Sequence, residues 1–118
     1  MRDFKKYNVW QDSHLLTLKI FKVTNNFPAN ELYKVVSQMQ RAAYSIPSNF
    51  AEGCGRGSDK DFDRFIQISL GSAHELEYFI ILAKDLDYIT ELQANEIDNQ
   101  INNIKKQLFA LSKKPKGL

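Results

Sequence analysis

A chain of 118 residues with a formal charge of +2 fits a single domain with one core. Its 43% hydrophobic and 25% charged residues are typical of globular proteins and exclude a disordered chain. No apolar run approaches the roughly 20 residues that a membrane-spanning helix needs, and no apolar signal segment follows Met1–Lys6. Cys54 is the only cysteine, which excludes an internal disulfide and is typical of a reducing compartment. We therefore expect one cytoplasmic domain spanning residues 1–118.

Apolar spacing predicts the first two helices. The first is expected from about Val9 to Asn26, because steps of three and four place one set of apolar side chains on a single face: Val9, Leu16, Ile20, Val23 and Phe27. Pro28 ends this helix. The second is expected to open at Ala29 or Asn30 and to end in the glycine-rich run 53–57, and its apolar face comprises Leu32, Val36, Met39, Ala43, Ile46 and Phe50.

Pro47 lies inside the second helix. A proline there removes one N–H and crowds the carbonyl of Ala43, at a cost of roughly 3 kcal/mol. We predict a bend at this point. Three small polar side chains are expected to bond the backbone groups that the bend frees: Ser45, Ser48 and Asn49.

The third helix is predicted to begin after Ser58, with Asp61 completing a pair that resembles a capping box. Acidic residues at positions 59, 61 and 63 suit the positive end of the helix dipole. The helix extends to about Leu86 and carries two apolar stripes. The first comprises Phe62, Ile66, Ser69, Ala73, Leu76, Ile80 and Ala83; the second comprises Phe65, Ile68, Ser72, Phe79, Leu82 and Leu86.

A helix that is apolar over so wide an arc needs cover on two sides. One side is the core of the bundle, and we expect a second subunit on the other. The small residues at 71–73 favour close approach of another backbone. The expected interface residues are Phe65, Ile68, Ser72, Phe79 and Leu82. The alternative is that the arc is simply a wide core face.

A short connector around 87–90 leads to the fourth helix, where one narrow seam repeats as in a heptad: Ile97, Ile101, Ile104, Leu108 and Leu111. Residues 113–118 are expected to be a frayed basic tail. No segment shows the alternation of a β-strand. Four helices with short connections predict an all-α fold, an antiparallel up-down-up-down four-helix bundle whose second helix is kinked at its proline.

Catalytic and metal-binding motifs fail on spacing. Neither His14 nor His74 completes the Glu-x-x-His pair of di-iron bundles. A zinc-protease helix starting at His74 would need its second histidine where Tyr78 stands. Cys54 could pair with a histidine as nucleophile and base, but its flanking glycines are explained more simply as a helix terminus. We therefore expect no enzyme, no metal and no cofactor.

Several polar residues fall near faces that are expected to be buried. We interpret them as a structural network that fixes the bent helix against its neighbours: Arg41, Ser45, Asn49, Glu52 and Glu75. The alternative is a cleft for a small molecule or a partner, lined by Tyr44, Asn49 and Arg41. His14 is expected to be a partly buried packing residue.

Basic charge concentrates towards the two ends of the chain. Residues 1–28 carry +3 and 91–118 carry +2, whereas 58–90 carry −4. If the first and fourth helices are adjacent, their lysines form a joint basic face that could bind phosphate backbones: Lys5, Lys6, Lys19, Lys22, Lys105, Lys106, Lys113 and Lys114. The alternative is that these lysines are merely solvated.

One string in the second helix is specific enough to suggest a family. It reads Gln38-x-x-Arg41-Ala42-Ala43-x-Ser45-Ile46-Pro47-Ser48-Asn49-Phe50-Ala51-Glu52-Gly53, with Phe27-Pro28 and Glu31 before it and Arg56 after it. The third helix adds Phe62, Phe65 and Gly71-Ser72-Ala73-His74-Glu75-Leu76-Glu77. From Trp10 to about Leu111 the chain resembles the four-helix-bundle family encoded in intervening sequences of 23S ribosomal RNA genes. It also resembles the related accessory variability determinant of diversity-generating retroelements.

The resemblance implies a bundle that assembles as a homopentameric ring, with no known enzymatic activity and no place in the ribosome. The retroelement relative implies binding to a reverse transcriptase and to nucleic acid. Five copies at +2 each would carry about +10, enough for a weak, salt-sensitive attraction to RNA or DNA. We therefore expect a non-catalytic scaffold that binds nucleic acid or a nucleic-acid enzyme. A small-molecule site or enzyme at the bent helix, and a ring without any ligand, remain the alternatives.

Overall fold

The computed structural model describes residues 2–112. It contains four long helices, α1 (Asn8–Thr24), α2 (Ser37–Cys54), α3 (Asp59–Asp85) and α4 (Glu91–Leu111). Three short helical turns complete it, at Phe4–Lys6, Ala29–Glu31 and Leu32–Val36. The described residues form no β-strand. The predicted all-α four-helix fold is therefore confirmed, while the basic tail with Lys113 and Lys114 lies outside the described residues.

Each helix packs on its neighbours in sequence, and α4 packs back on α1. Side-chain contacts give the relative direction of each pair of neighbouring helices. As residue numbers rise along one helix, the residue numbers of their contact partners fall along the neighbouring helix. Side-chain bonds join Thr17 to Ala43 and Thr24 to Gln40 between α1 and α2, Gln67 to Ser112 and Glu77 to Lys105 between α3 and α4, and Asp12 to Gln107 and Lys19 to Glu96 between α1 and α4. Between α2 and α3, Ser69 bonds Ile46 and Phe65 contacts Gly53. Neighbouring helices therefore run antiparallel, with α1 and α3 at opposite corners.

The core is built from the stripes that the spacing predicts. Every residue of the first α3 stripe is buried, and so are the α4 seam residues from Ile97 to Leu108. Leu111, the last residue of that seam, is half-buried and packs against the core. Burial of one face per helix is the main stabilising contribution in such a fold.

The entry to α2 differs from the sequence prediction. Helical turns begin at Ala29 as expected. However, Ala29–Glu31 is a 3₁₀ turn and Leu32–Val36 is a π-helical turn, so regular α-helical geometry starts only at Ser37. Glu31 also accepts a hydrogen bond from the Tyr88 hydroxyl at 3.1 Å, which ties this entry to the α3–α4 connector. Burial and this bond to a carboxylate both raise the pKa of Tyr88. Such a long-range contact is invisible to local spacing.

Helix ends follow local chemistry. The Ser58 hydroxyl accepts the Asp61 N–H at 3.1 Å, as predicted, but the Asp61 carboxylate lies 3.6 Å from the Arg64 side chain. The complete capping box lies at α4, where Thr90 and Gln93 exchange bonds of 3.1 and 2.9 Å, and sequence reasoning missed it. Within residues 2–112, no helix combines the length and apolarity needed to cross a bilayer.

Candidate interaction faces

The carbonyls around Pro47 receive side-chain donors from three helices. The Thr17 hydroxyl of α1 lies 3.2 Å from the Ala43 oxygen, the acceptor that the missing proline N–H leaves free, and 2.8 Å from the Ser13 oxygen of its own helix, so its one proton is shared between the two acceptors. Ser69 of α3 donates to the Ile46 oxygen at 3.0 Å, and Asn49 donates to the Ser45 oxygen at 2.8 Å. α2 thus continues through Pro47 with its carbonyls bonded, and the bend itself stays a prediction.

Only part of the predicted donor set is found at the proline. Asn49 is in place, but Ser48 is exposed, and the other two donors are Thr17 and Ser69 from neighbouring helices. A sequence signal for them does exist, because each interrupts an otherwise apolar helix face with a hydroxyl. Side chains of this kind are buried only when they find an acceptor.

The five residues of the predicted polar network do not form one cluster of contacts. Asn49 and Ser45 are joined through the hydrogen bond to the Ser45 carbonyl. Glu52 forms an ion pair with Arg56 one turn later, at 3.3 Å. Arg41 and Glu75 are exposed, and neither has an ion-pair partner within residues 2–112.

The predicted interface residues on α3 differ in burial. Phe65 is 8% exposed, because its ring packs on Gly53 of α2 and lies below the guanidinium groups of Arg56 and Arg64. Ile68 is 39% exposed. The remaining three are half-buried: Ser72, Phe79 and Leu82. Phe65 therefore already belongs to the α2–α3 contact within the chain.

These two residue sets share one side of the bundle, which we term the α2–α3 face: Arg41, Ser45, Asn49 and Glu52 of α2 with Ile68, Ser72, Glu75, Phe79 and Leu82 of α3. The contacts of Ser69 with Ile46 and of Phe65 with Gly53 fix which edges of α2 and α3 meet. Helical spacing then places the α3 residues of the set along the outer border of that contact. Glu75 lies between Ser72 and Phe79, three and four residues away, so one carboxylate interrupts the stripe.

A second exposed apolar surface lies on α1, and sequence reasoning missed it. We term it the α1 face: Leu15, Leu18 and Phe21, which are 58%, 53% and 41% exposed. Beside it, His14 is exposed and stacks on Trp10, with ring centroids 5.2 Å apart. The expectation that His14 is partly buried is wrong, because only one flank of its ring is covered.

The adjacency of α1 and α4, on which a joint basic face depends, is observed. Lys19 is paired with Glu96 at 3.3 Å and Lys105 with Glu77 at 2.9 Å. The exposed Lys22 and Lys106 have no ion pair within the described residues. The Lys105 charge is thus paired towards α3 and not towards α1, while Lys19 is neutralised by Glu96 of α4.

Lys5 and Lys6 lie in the turn that precedes α1, and both are exposed. Lys105 and Lys106 directly precede Gln107, whose side chain bonds Asp12 in the first half of α1. Lys19, in the second half of α1, lies beside Glu96, towards the other end of α4. The described lysines therefore form separate groups and not one continuous patch.

Cys54 is buried at the end of α2, and its carbonyl accepts the Arg2 N–H at 3.2 Å. Burial raises the pKa of the Cys54 thiol, and Arg2 acts in the opposite direction more weakly. A reactive cysteine needs a lowered pKa and access, so this environment favours an inert thiol. Among residues 2–112, no three histidine, cysteine or acidic side chains are grouped to hold a metal ion.

Four antiparallel helices around one core, with polar and apolar residues side by side on α2 and α3, define a four-helix-bundle protein. The model of a family described as 23S rRNA-intervening sequence protein matches residues 5–110. The chain belongs to this family, which confirms the resemblance read from the α2 string.

A solved relative has the same fold. It is the crystal structure of a protein with unknown function from the S23 ribosomal protein family of Bacteroides thetaiotaomicron VPI-5482. The two chains are 29% identical and superpose with a TM-score of 0.82, over 90% of this chain and 99% of the other. No curated protein matches.

Proposed function

We propose that this protein is a non-catalytic scaffold that assembles with copies of itself, five in the ring implied by the family resemblance. The observation that supports the proposal is the α2–α3 face. The first α3 stripe already fills the core, yet Ile68 of this face stays exposed, and Phe79 and Leu82 are only half-buried. Leu86, just past the end of α3, is exposed as well. Apolar side chains aligned along a helix and left in water are typical of a surface that binds another protein.

The non-catalytic part of the proposal is supported by the state of Cys54. A buried thiol with a raised pKa is a poor nucleophile at neutral pH. A single buried cysteine also suits a reducing compartment, and we propose the cytoplasm.

Ile68→Lys is expected to convert the assembly to monomers. It adds a charge that a buried contact would have to desolvate, and its exposed position lets the single chain fold. Light scattering on the eluting protein should give several times 13.7 kDa for wild type and about 13.7 kDa for the variant.

Ile81→Lys is the matched control, because Ile81 lies on the same helix and is 53% exposed. It lies towards α4, beside Ala94 and Asp98, and so outside the α2–α3 face. The control should keep the wild-type mass. A wild-type protein that elutes as a monomer at micromolar concentration would contradict self-assembly.

As a second function, we propose that the assembly binds RNA or DNA, or a nucleic-acid enzyme such as a reverse transcriptase. The observation in favour is that Lys22 of α1 and Lys106 of α4 are exposed and have no ion pair within residues 2–112; they lie towards opposite ends of two adjacent helices, and ring symmetry would repeat both. Phosphate contacts of this kind are electrostatic and weaken steeply as salt rises.

Wild-type protein is expected to bind labelled RNA hairpins or duplex DNA at low salt in fluorescence anisotropy. Changing Lys22 and Lys106 together to glutamate should weaken binding and lower the salt slope by about one per lysine engaged. Lys60 and Lys84, also exposed but on α3, provide the matched control when both are changed to glutamate. Absence of binding even at low salt would exclude this second function.

A further inference from the structure

A small cavity lies between α1 and α4. Asp12 and Leu15 line it from α1, and Gln100, Asn103 and Ile104 line it from α4. Its volume is about 100 Å³, the room that roughly three water molecules take in the liquid. Because all of these residues belong to one chain, the cavity does not depend on self-assembly.

Gln100 gives the cavity a hydrogen-bond acceptor. Its Oε1 atom is buried, and no donor within residues 2–112 bonds it. Burying a carbonyl oxygen without a donor costs free energy, and nearly all such atoms in folded proteins are bonded. The residue lies three positions before Asn103, on the side of α4 that meets α1. A group that enters the cavity and donates a hydrogen bond would remove this cost.

Asp12 adds a negative charge, and no basic side chain of the described residues forms an ion pair with it. Its carboxylate is half-buried, and its Oδ2 atom accepts the amide of Gln107 at 2.7 Å and that of Asn103 at 3.3 Å. Neither bond uses the second oxygen, Oδ1. Lys19, the nearest lysine along α1, is held by Glu96 at 3.3 Å. A cation is therefore the donor that suits this cavity.

The lining selects among cations. Mg²⁺ and Ca²⁺ take six or more oxygen ligands, whereas Leu15 and Ile104 supply none. A guanidinium group binds a carboxylate best through both oxygens at once, and one oxygen of Asp12 already has two donors. An alkylammonium carries three N–H donors that point in different directions, and its carbons can lie against apolar walls. We propose that the cavity binds a primary ammonium group on a short alkyl chain, with Asp12 as counter-ion and Gln100 as acceptor.

Nuclear magnetic resonance of the isotope-labelled full-length protein tests the proposal, with n-propylammonium chloride as the ligand. The side-chain amide signal of Gln100, assigned by its loss in Gln100→Met, is expected to shift and to saturate in the millimolar range. A ligand with four non-hydrogen atoms cannot bind more tightly than tens of micromolar. Tetramethylammonium chloride has the charge without N–H donors, and n-propanol has the chain without the charge. Neither should give a saturating shift.

Asp12→Asn removes the charge and keeps the shape of the side chain, so it is expected to weaken propylammonium binding at least about tenfold. Asp98→Asn is the matched control, because Asp98 is also a half-buried acid of α4 but lies on the side that faces α3, beside Ile80. It should bind as wild type does. Gln100→Met removes the buried acceptor with little change of shape and should also weaken binding, followed at the Asn103 amide. Circular dichroism checks that each variant is folded.

A primary ammonium group can come from a free amine or from a lysine side chain of another protein. Nα-acetyl-lysine amide distinguishes the two sources, since it carries the ammonium together with a peptide backbone. Saturation by both compounds supports a lysine, and saturation by propylammonium alone supports a free amine. Equal shifts with propylammonium and tetramethylammonium, or an affinity unchanged in both Asp12→Asn and Gln100→Met, would overturn the proposal. Absence of any shift at about 100 mM propylammonium would overturn it as well, with water as the only occupant.

Discussion

Gly53→Ala is expected to destabilise the bundle by about 1–3 kcal/mol, the usual cost of overpacking a tight core. A Cβ atom at this position would lie 2.7 Å from the Phe65 Cβ and 3.4 Å from the Phe62 carbonyl oxygen. The Phe65 Cβ is fixed to the α3 backbone and cannot rotate away, so the two helices would have to separate. Urea unfolding followed by circular dichroism measures the loss.

Gly71→Ala is the matched control, because it makes the same chemical change within α3. A Cβ atom there meets nothing within 4 Å. The only expected effect is the helix propensity of alanine, a gain of about 1 kcal/mol. Both substitutions belong in the Ile68→Lys background, where self-association does not contribute to stability. Equal effects of the two would contradict the close approach of α2 and α3 at Gly53.

The sequence predicts the fold well because each helix carries its own periodic signal. The α4 seam and the first α3 stripe are both buried as the spacing requires. The opening of α2 is less predictable, since the wide turn Leu32–Val36 and the bond from Tyr88 to Glu31 depend on elements distant in sequence. Local pattern determines the helices, and tertiary contacts determine their ends.

The interaction faces are predictable only in part, for a related reason. Spacing identifies the second α3 stripe. It cannot show that α2 covers Phe65 at Gly53, whereas Ile68 of the same stripe stays exposed. It also misses the α1 face, because apolar residues on two sides of α1 look like one broad core stripe until the neighbours are known. Which apolar side chains remain uncovered is a property of the packed bundle.

Thr17→Val is expected to cost about 1–3 kcal/mol, and the size of the loss should depend on the residue at position 47. In the native chain Pro47 offers no N–H to the Ala43 carbonyl, and the Thr17 hydroxyl, which lies 2.8 Å from the Ser13 oxygen, also lies 3.2 Å from the Ala43 oxygen. Valine keeps the shape of threonine but leaves a buried acceptor without its donor. In a Pro47→Ala background the new N–H can bond Ala43, so the same change should cost at least about 1 kcal/mol less.

A double-mutant cycle over Thr17→Val and Pro47→Ala measures this coupling by urea unfolding. Thr24→Val is the control, since Thr24 lies two turns further along α1, where its hydroxyl lies 2.8 Å from the Ile20 oxygen and accepts a bond from Gln40. Its penalty should be the same with proline or alanine at position 47. If the Thr17 penalty is also unchanged, the hydroxyl does not replace the missing helical donor, and the proline must be accommodated by the α2 backbone itself. If the penalty falls, a hydroxyl on α1 is part of what allows α2 to contain Pro47, and the family string around it is explained by packing between helices.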